Sequence, residues 1–187
     1  MRLGTDRVNI PNLITLGRIL LVPVIIWAIA SGQMAVAFVL FAAAGISDAI
    51  DGFLAKRFHM QSELGALLDP LADKALLISI YIALGITGDV ARWLVILVVS
   101  RDIIIIGAVI VSWLLGRPIP MKPLMVSKLN TVAQVVYAAV VLGELGFALE
   151  LVPVNAVLLV LVTVLTLASV SLYLVEWLRH MSELEAR

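Results

Sequence analysis

Four aspartates hold the densest chemistry in this sequence. Asp48-Ala-Ile-Asp51-Gly52-Phe-Leu-Ala55-Lys56 is followed, after eight residues, by Gly65-Ala-Leu-Leu-Asp69-Pro-Leu-Ala-Asp73. Residues three or four apart share one helix face, so Asp48 pairs with Asp51 and Asp69 with Asp73. Gathered carboxylates raise one another's proton affinity and burial adds to it, so such a cluster needs compensating charge. Divalent cations supply that charge, and an all-oxygen ligand set selects Mg²⁺, Mn²⁺ or Ca²⁺ over zinc or copper. Four acids suffice to bridge two ions about 3.5–4 Å apart, the arrangement used for displacement at phosphorus. Gly52 and Ala55 leave room beside the acids for a bulky phosphate ligand, while Lys56 and Arg57 add positive charge at its rim. Two other readings stand beside this one. The aspartates cap helix ends or pair with Lys74 and Arg18, or they bind a divalent cation that is being transported.

The elements that must position these acids are apolar helices. Of the 187 residues, 63% are apolar and only 14% charged, against about 25% charged in ordinary globular domains. A water-soluble globule cannot hide that much apolar surface, and disordered chains have the opposite composition. The reading is an all-α, polytopic membrane protein with one domain over residues 1–187. Six windows are long enough to cross a bilayer, at about 20 residues per crossing: Leu13–Ala30, Ala35–Leu54, Gly65–Leu84, Ala91–Leu115, Thr131–Leu149 and Val154–Leu178. No repeat of solenoid length and no pair of similar halves interrupts this pattern.

Positive charge sets the orientation. Arg2 and Arg7, then Lys56 and Arg57, then Arg117, Lys122 and Lys128, and finally Arg179 and Arg187 mark one side of the membrane. The other side holds Asp89, Glu144 and Glu150, with Arg92 as its one cation. Both termini are thus expected in the cytoplasm, and all four aspartates within about 12 Å of that surface. Ala28-Ile29-Ala30 before Ser31 resembles a signal-peptidase site, but Arg18 interrupts the apolar run and the run is long for a signal. Thirteen basic residues balance thirteen acidic ones, so net charge offers no argument for a nucleic-acid partner. The absence of cysteine excludes a Cys nucleophile and Cys-ligated metal sites. His59 and His180 lack metal-ligand spacing, and Glu176–Arg187 reads as a short amphipathic extension on the cytoplasmic surface.

The spacing D-x2-D-G-x2-A-K-x8-G-x3-D-x3-D resembles the signature of the CDP-alcohol phosphotransferases, membrane enzymes of phospholipid synthesis. One position departs: the family usually has Arg where this chain has Lys56, and lysine offers a point charge without a bidentate fork. The resemblance implies a six-helix fold and two divalent cations, Mg²⁺ or Mn²⁺, held by Asp48, Asp51, Asp69 and Asp73. Those ions would grip the pyrophosphate of a CDP-linked donor, with Gly52, Ala55 and Lys56 beside it. It further implies that Asp73 is the general base that deprotonates the acceptor hydroxyl as CMP leaves. A last acid whose proton affinity its neighbours raise is suited to that task.

Asn9-Ile-Pro11-Asn12-Leu-Ile-Thr15-Leu-Gly-Arg18 resembles the first-helix start of the branch that makes phosphatidylglycerophosphate and cardiolipin. There Asn12 and Thr15 either contact the nucleotide or cap the helix. Arg101, deep in the fourth window, is expected to face the cavity and bind an acceptor phosphate. An Arg101–Asp102 pair is the competing reading, disfavoured because adjacent helix residues point about 100° apart. Lys128 either helps from the cytoplasmic rim or only marks topology. Arg101-Asp102 and Lys128-x-Asn130-Thr131 look more like the part of the branch that uses phosphatidylglycerol than the part that uses glycerol 3-phosphate. A phosphodiester monoanion tolerates one lysine fewer than a near-dianionic monoester. The family is commonly homodimeric, and the compact length points to a bacterial inner membrane.

Overall fold

The computed structural model describes residues 10–58, 63–114 and 125–185, and among these every regular element is a helix. In chain order they are α1 (Ile10–Ala30), α2 (Met34–Phe58), α3 (Glu63–Thr87), α4 (Arg92–Leu114), α5 (Met125–Phe147) and α6 (Val152–Glu185). Local chemistry explains the ends. After α1 the chain turns at Gly32, whose φ of 73° is open to glycine, and the Gln33 N–H returns to the Ala28 carbonyl at 2.8 Å. After α3 the N–H groups of Gly88, Asp89 and Val90 all converge on the Leu84 carbonyl. Pro153 sits in the first turn of α6, where a missing N–H breaks no helical bond.

The helices close into a ring in the order α1–α2–α5–α6–α4–α3, and α3 also touches α5 across the middle. Ile25, Ile29, Ile80, Leu84, Leu94 and Leu142 are almost fully buried where these helices meet. The exterior is apolar as well. Along α6, Val157, Val160, Val164 and Leu167 are all more than half exposed, one helical face turned outward. Thr166 and Ser169 on the same helix are fully buried. A bundle that buries hydroxyls and exposes valines is built for lipid, where polar groups must be satisfied inside. Among the described residues, two stretches are long and apolar enough to cross a membrane by themselves, Met125–Phe147 and Val152–Arg179.

Helix limits differ from the sequence windows in ways that matter for the site. α5 starts six residues before its window, because hydropathy passes over a polar first turn, so Lys128 and Asn130 lie in the helix rather than in the loop before it. α2 and α3 also overrun their windows. Asp48 lies ten residues before Phe58 and Asp73 ten after Glu63, so each stands about 15 Å along its helix from the end. The extension from Glu176 is the continuation of α6, described as far as Glu185. At roughly 51 Å, α6 exceeds an apolar core of about 30 Å.

Candidate functional site

The two outer acids of the motif meet on a cation from α1. Arg18 is 3% exposed, and its Nη2 donates to Asp48 Oδ1 on α2 while its Nη1 donates to Asp73 Oδ1 on α3. The carboxylates themselves stay open, with side chains 41% and 46% exposed. Both line a cavity of about 390 Å³. Its remaining walls include Phe41, Ala44 and Gly45 from α2, Lys74 from α3, Asp102 from α4, and Thr131 and Gln134 from α5. Small residues on α2 open the space, and the equal depth of Asp48 and Asp73 on antiparallel helices makes the acids coincide. Asp51 lies seven residues before the end of α2 and Asp69 six after the start of α3, so the inner acids form a second level about one turn nearer the helix ends. The side chains of Asp51, Ala55, Lys56 and Asp69 and the surroundings of Gly52 lie outside what is described, as do His59 and residues 115–124. The pairing with Arg18 is thus present, and Lys74 engages Asp102 at 2.8 Å.

A second polar cluster lies behind the cavity. Arg101 is 2% exposed, and its Nη1 donates to Asp102 while its Nη2 reaches Ser127 on α5 and, at 3.0 Å, Ser169 on α6. Asp102 is among the cavity-lining residues and Arg101 is not; Arg101 ties α4 to α5 and α6. The Arg101–Asp102 pair, disfavoured on angular grounds, is present because a guanidinium on a long stem can fold back across 100°. Beside it, Thr166 Oγ1 donates to Asn130 Oδ1 at 2.9 Å.

The remaining candidates fall as follows. Thr15 is buried on α1, one turn before Arg18. The helix is already formed at Ile10, so neither Asn12 nor Thr15 is its cap, and the Asn12 side chain lies outside the described residues. Lys128 is exposed in the first turn of α5 and is not among the cavity residues. Arg18, Lys74, Asp102 and Gln134 are the site residues to which the sequence reading gave no role in the chemistry. A charged residue inside an apolar run is a signal for a site, and Arg18 carries that signal. Gln134 carries none.

A model of the CDP-alcohol phosphatidyltransferase family matches residues 8–175. Over 147 residues the chain is 36% identical to a cardiolipin synthase (CMP-forming) of Rattus norvegicus, covering 70% of this chain and 49% of the rat protein. A probable cardiolipin synthase (CMP-forming) of Drosophila melanogaster is 35% identical over 151 residues, 72% of this chain and 47% of the fly protein. The chloroplastic CDP-diacylglycerol–glycerol-3-phosphate 3-phosphatidyltransferase 1 of Oryza sativa subsp. japonica is 36% identical over 166 residues, 79% of this chain and 50% of its own length. The chain therefore spans about half the length of the curated relatives it matches.

Proposed function

The chain belongs to the CDP-alcohol phosphatidyltransferase family, and from that premise we propose that it moves the phosphatidyl group of CDP-diacylglycerol onto a glycerol hydroxyl with release of CMP. The acceptor in this reading is phosphatidylglycerol and the product cardiolipin. One observation carries the reading: Asp48 and Asp73, from different helices, converge at equal depth on one cavity wide enough for a phosphate group. Family membership favours a transferase over a divalent-cation transporter.

The donor set fits hard divalent cations. Asp48 and Asp73 offer carboxylate oxygens to the cavity, and Asp51 and Asp69 follow on the same helix faces one level nearer the helix ends. Those four residues would hold two Mg²⁺ or Mn²⁺ ions, which when bound neutralise the donor's pyrophosphate. Asp73 takes the proton from the acceptor hydroxyl, whose oxygen then forms the new bond to the donor's phosphorus as the bond to CMP breaks. Arg18 spans the two acids from α1 and fixes the spacing of their helices. Six crossings would put both termini and the cavity mouth on the cytoplasmic side, in line with the basic residues of the N-terminus, the second and fourth connections and the C-terminal tail. A homodimer is the expected assembly.

A second reading is favoured by one comparison: the rice relative transfers to glycerol 3-phosphate by its name, and it shares 36% identity with this chain. CMP release from CDP-diacylglycerol, measured with phosphatidylglycerol or glycerol 3-phosphate as sole acceptor, separates the two. Turnover with phosphatidylglycerol, abolished by a chelator and restored by Mg²⁺ or Mn²⁺, is the expected outcome. Turnover with glycerol 3-phosphate alone selects the second reading, and chelator-insensitive turnover removes the metal assignment.

A further inference from the structure

We propose that Gln134 is the neutral anchor of the acceptor headgroup, donating from its carboxamide to a hydroxyl or phosphodiester oxygen beside Asp73. The inference rests on the transferase reading above and adds to it a residue that neither the motif nor the cationic positions include. Gln134 is 1% exposed, lines the same cavity as Asp48 and Asp73, and its buried Nε2 has no hydrogen-bond partner among the described residues. A buried amide donor left unmade is costly, and α5 gains nothing structural from keeping one there. The position itself is well held: the Gln134 carbonyl accepts a bond of 3.1 Å from the Tyr81 hydroxyl on α3, and Tyr81 is 1% exposed. The backbone is fixed while the side chain's donor is left for a ligand.

The charges around it say which ligand. Among the described cavity residues, Arg18 is taken up by Asp48 and Asp73, and Lys74 by Asp102. The carboxylates are the ones that would hold the two divalent cations, and both of these cationic side chains are already engaged, so neither is left to grip a phosphomonoester near two negative charges. A neutral carboxamide suits an oxygen with little or no charge of its own, as the hydroxyls and diester oxygens of a phosphatidylglycerol headgroup provide. Asn130, one turn earlier on the same face, is likewise an uncharged amide with a buried Nδ2 that lacks a partner among the described residues.

The test uses the full chain purified in detergent, as wild type and as Gln134→Met, an apolar replacement of similar volume, with Gln134→Glu alongside. Thermal unfolding is followed alone, with phosphatidylglycerol, and separately with CDP-diacylglycerol, with phosphatidylethanolamine as reference lipid. Without lipid, Gln134→Met should be at least as stable as wild type, since an unmade buried donor is gone. Its apparent affinity for phosphatidylglycerol should fall about tenfold, as for one neutral hydrogen bond. Affinity for CDP-diacylglycerol should stay within about twofold. Gln134→Glu should lose phosphatidylglycerol more completely through repulsion. Unchanged phosphatidylglycerol affinity in Gln134→Met, equal losses for both lipids, a less stable unliganded variant, or no specific stabilisation of wild type would each overturn the proposal. Binding is read with one substrate at a time, so a wild type that binds phosphatidylglycerol yet releases no CMP refutes the reaction and leaves Gln134's role supported.

Discussion

Arg18 and Arg101 make an instructive pair. Each lies inside a helix, each is at least 97% buried, and each is bound to aspartate. Their partners differ. Arg18 joins two carboxylates from two other helices, and both carboxylates remain more than two-fifths exposed to a cavity. Arg101 joins its own neighbour, Asp102, which is 4% exposed, and two serines on α5 and α6. In the first case burial of the cation holds reactive acids open; in the second the carboxylate is itself buried and the cluster fastens helices. Burial of an arginine in a membrane bundle therefore does not by itself mark a site. The exposure of what it binds does.

The largest effect should come from the open side. Asp73→Asn keeps the shape and the bond to Arg18 but cannot accept a proton. Turnover should fall by about 10²–10⁴, the range supplied by a general base, while CDP-diacylglycerol still binds. Normal turnover in a CMP-release assay would remove Asp73 from the chemistry and dissolve the contrast. Next is the closed side. Arg101→Met leaves Ser127 and Ser169 without their partner and removes one of the two cations at Asp102, so unfolding in detergent should become easier by about 3 kcal/mol, the low end for a broken buried pair. The acceptor KM of the protein that remains folded should change little. A normal melting curve with a strongly raised acceptor KM would restore Arg101 to the cavity and make the two arginines alike.

How legible these regions were in the sequence follows from the same contrast. The acids of the open side lie on two consecutive helices, and their spacing of three and four is local, so a shared face and a common depth could be read off directly. Six apolar windows likewise anticipated six helices, since each break carries its own turn chemistry, as at Gly32 and Gly88. Arg18 is 30 and 55 residues from its partners, and no local period encodes that meeting. The Arg101–Asp102 pair was not legible, because a rule about backbone direction says little about the tip of a long side chain. The start of α5 was missed because Ser127, Lys128 and Asn130 depress hydropathy although they are helical. Gln134 was invisible as a site residue, since a glutamine in an apolar helix gives no sign of which neighbour it lacks.

Between the two sides stands Lys74, whose ammonium meets Asp102 at 2.8 Å from the cavity edge. Its side chain is 38% exposed, so solvent screens the pair, and Lys74→Met should cost at most about 1 kcal/mol of stability. Asp102 keeps Arg101, which is why the loss stays small. A cost comparable to that of Arg101→Met, measured in the same melting experiment, would mean that the closed cluster extends to the cavity edge.

The smallest effect is expected at Lys128. It is exposed, sits in the first turn of α5, and is absent from the cavity wall. A positive charge near a helix N-terminus opposes the helix dipole, so its removal costs α5 nothing and gives back a few tenths of a kcal/mol. In the proposed orientation, one more cation would favour that end of α5 on the cytoplasmic side, and this accounts for a lysine at a position that slightly disfavours its own helix. Lys128→Gln should therefore leave melting and acceptor KM within about twofold of wild type, because the other basic residues still set topology. An acceptor KM raised about tenfold, with melting unchanged, would mean that the lysine reaches a bound phosphate from the rim. The acceptor would then be gripped by charge from α5 as well as by the neutral carboxamide of Gln134, and the case for a singly charged headgroup would weaken with it.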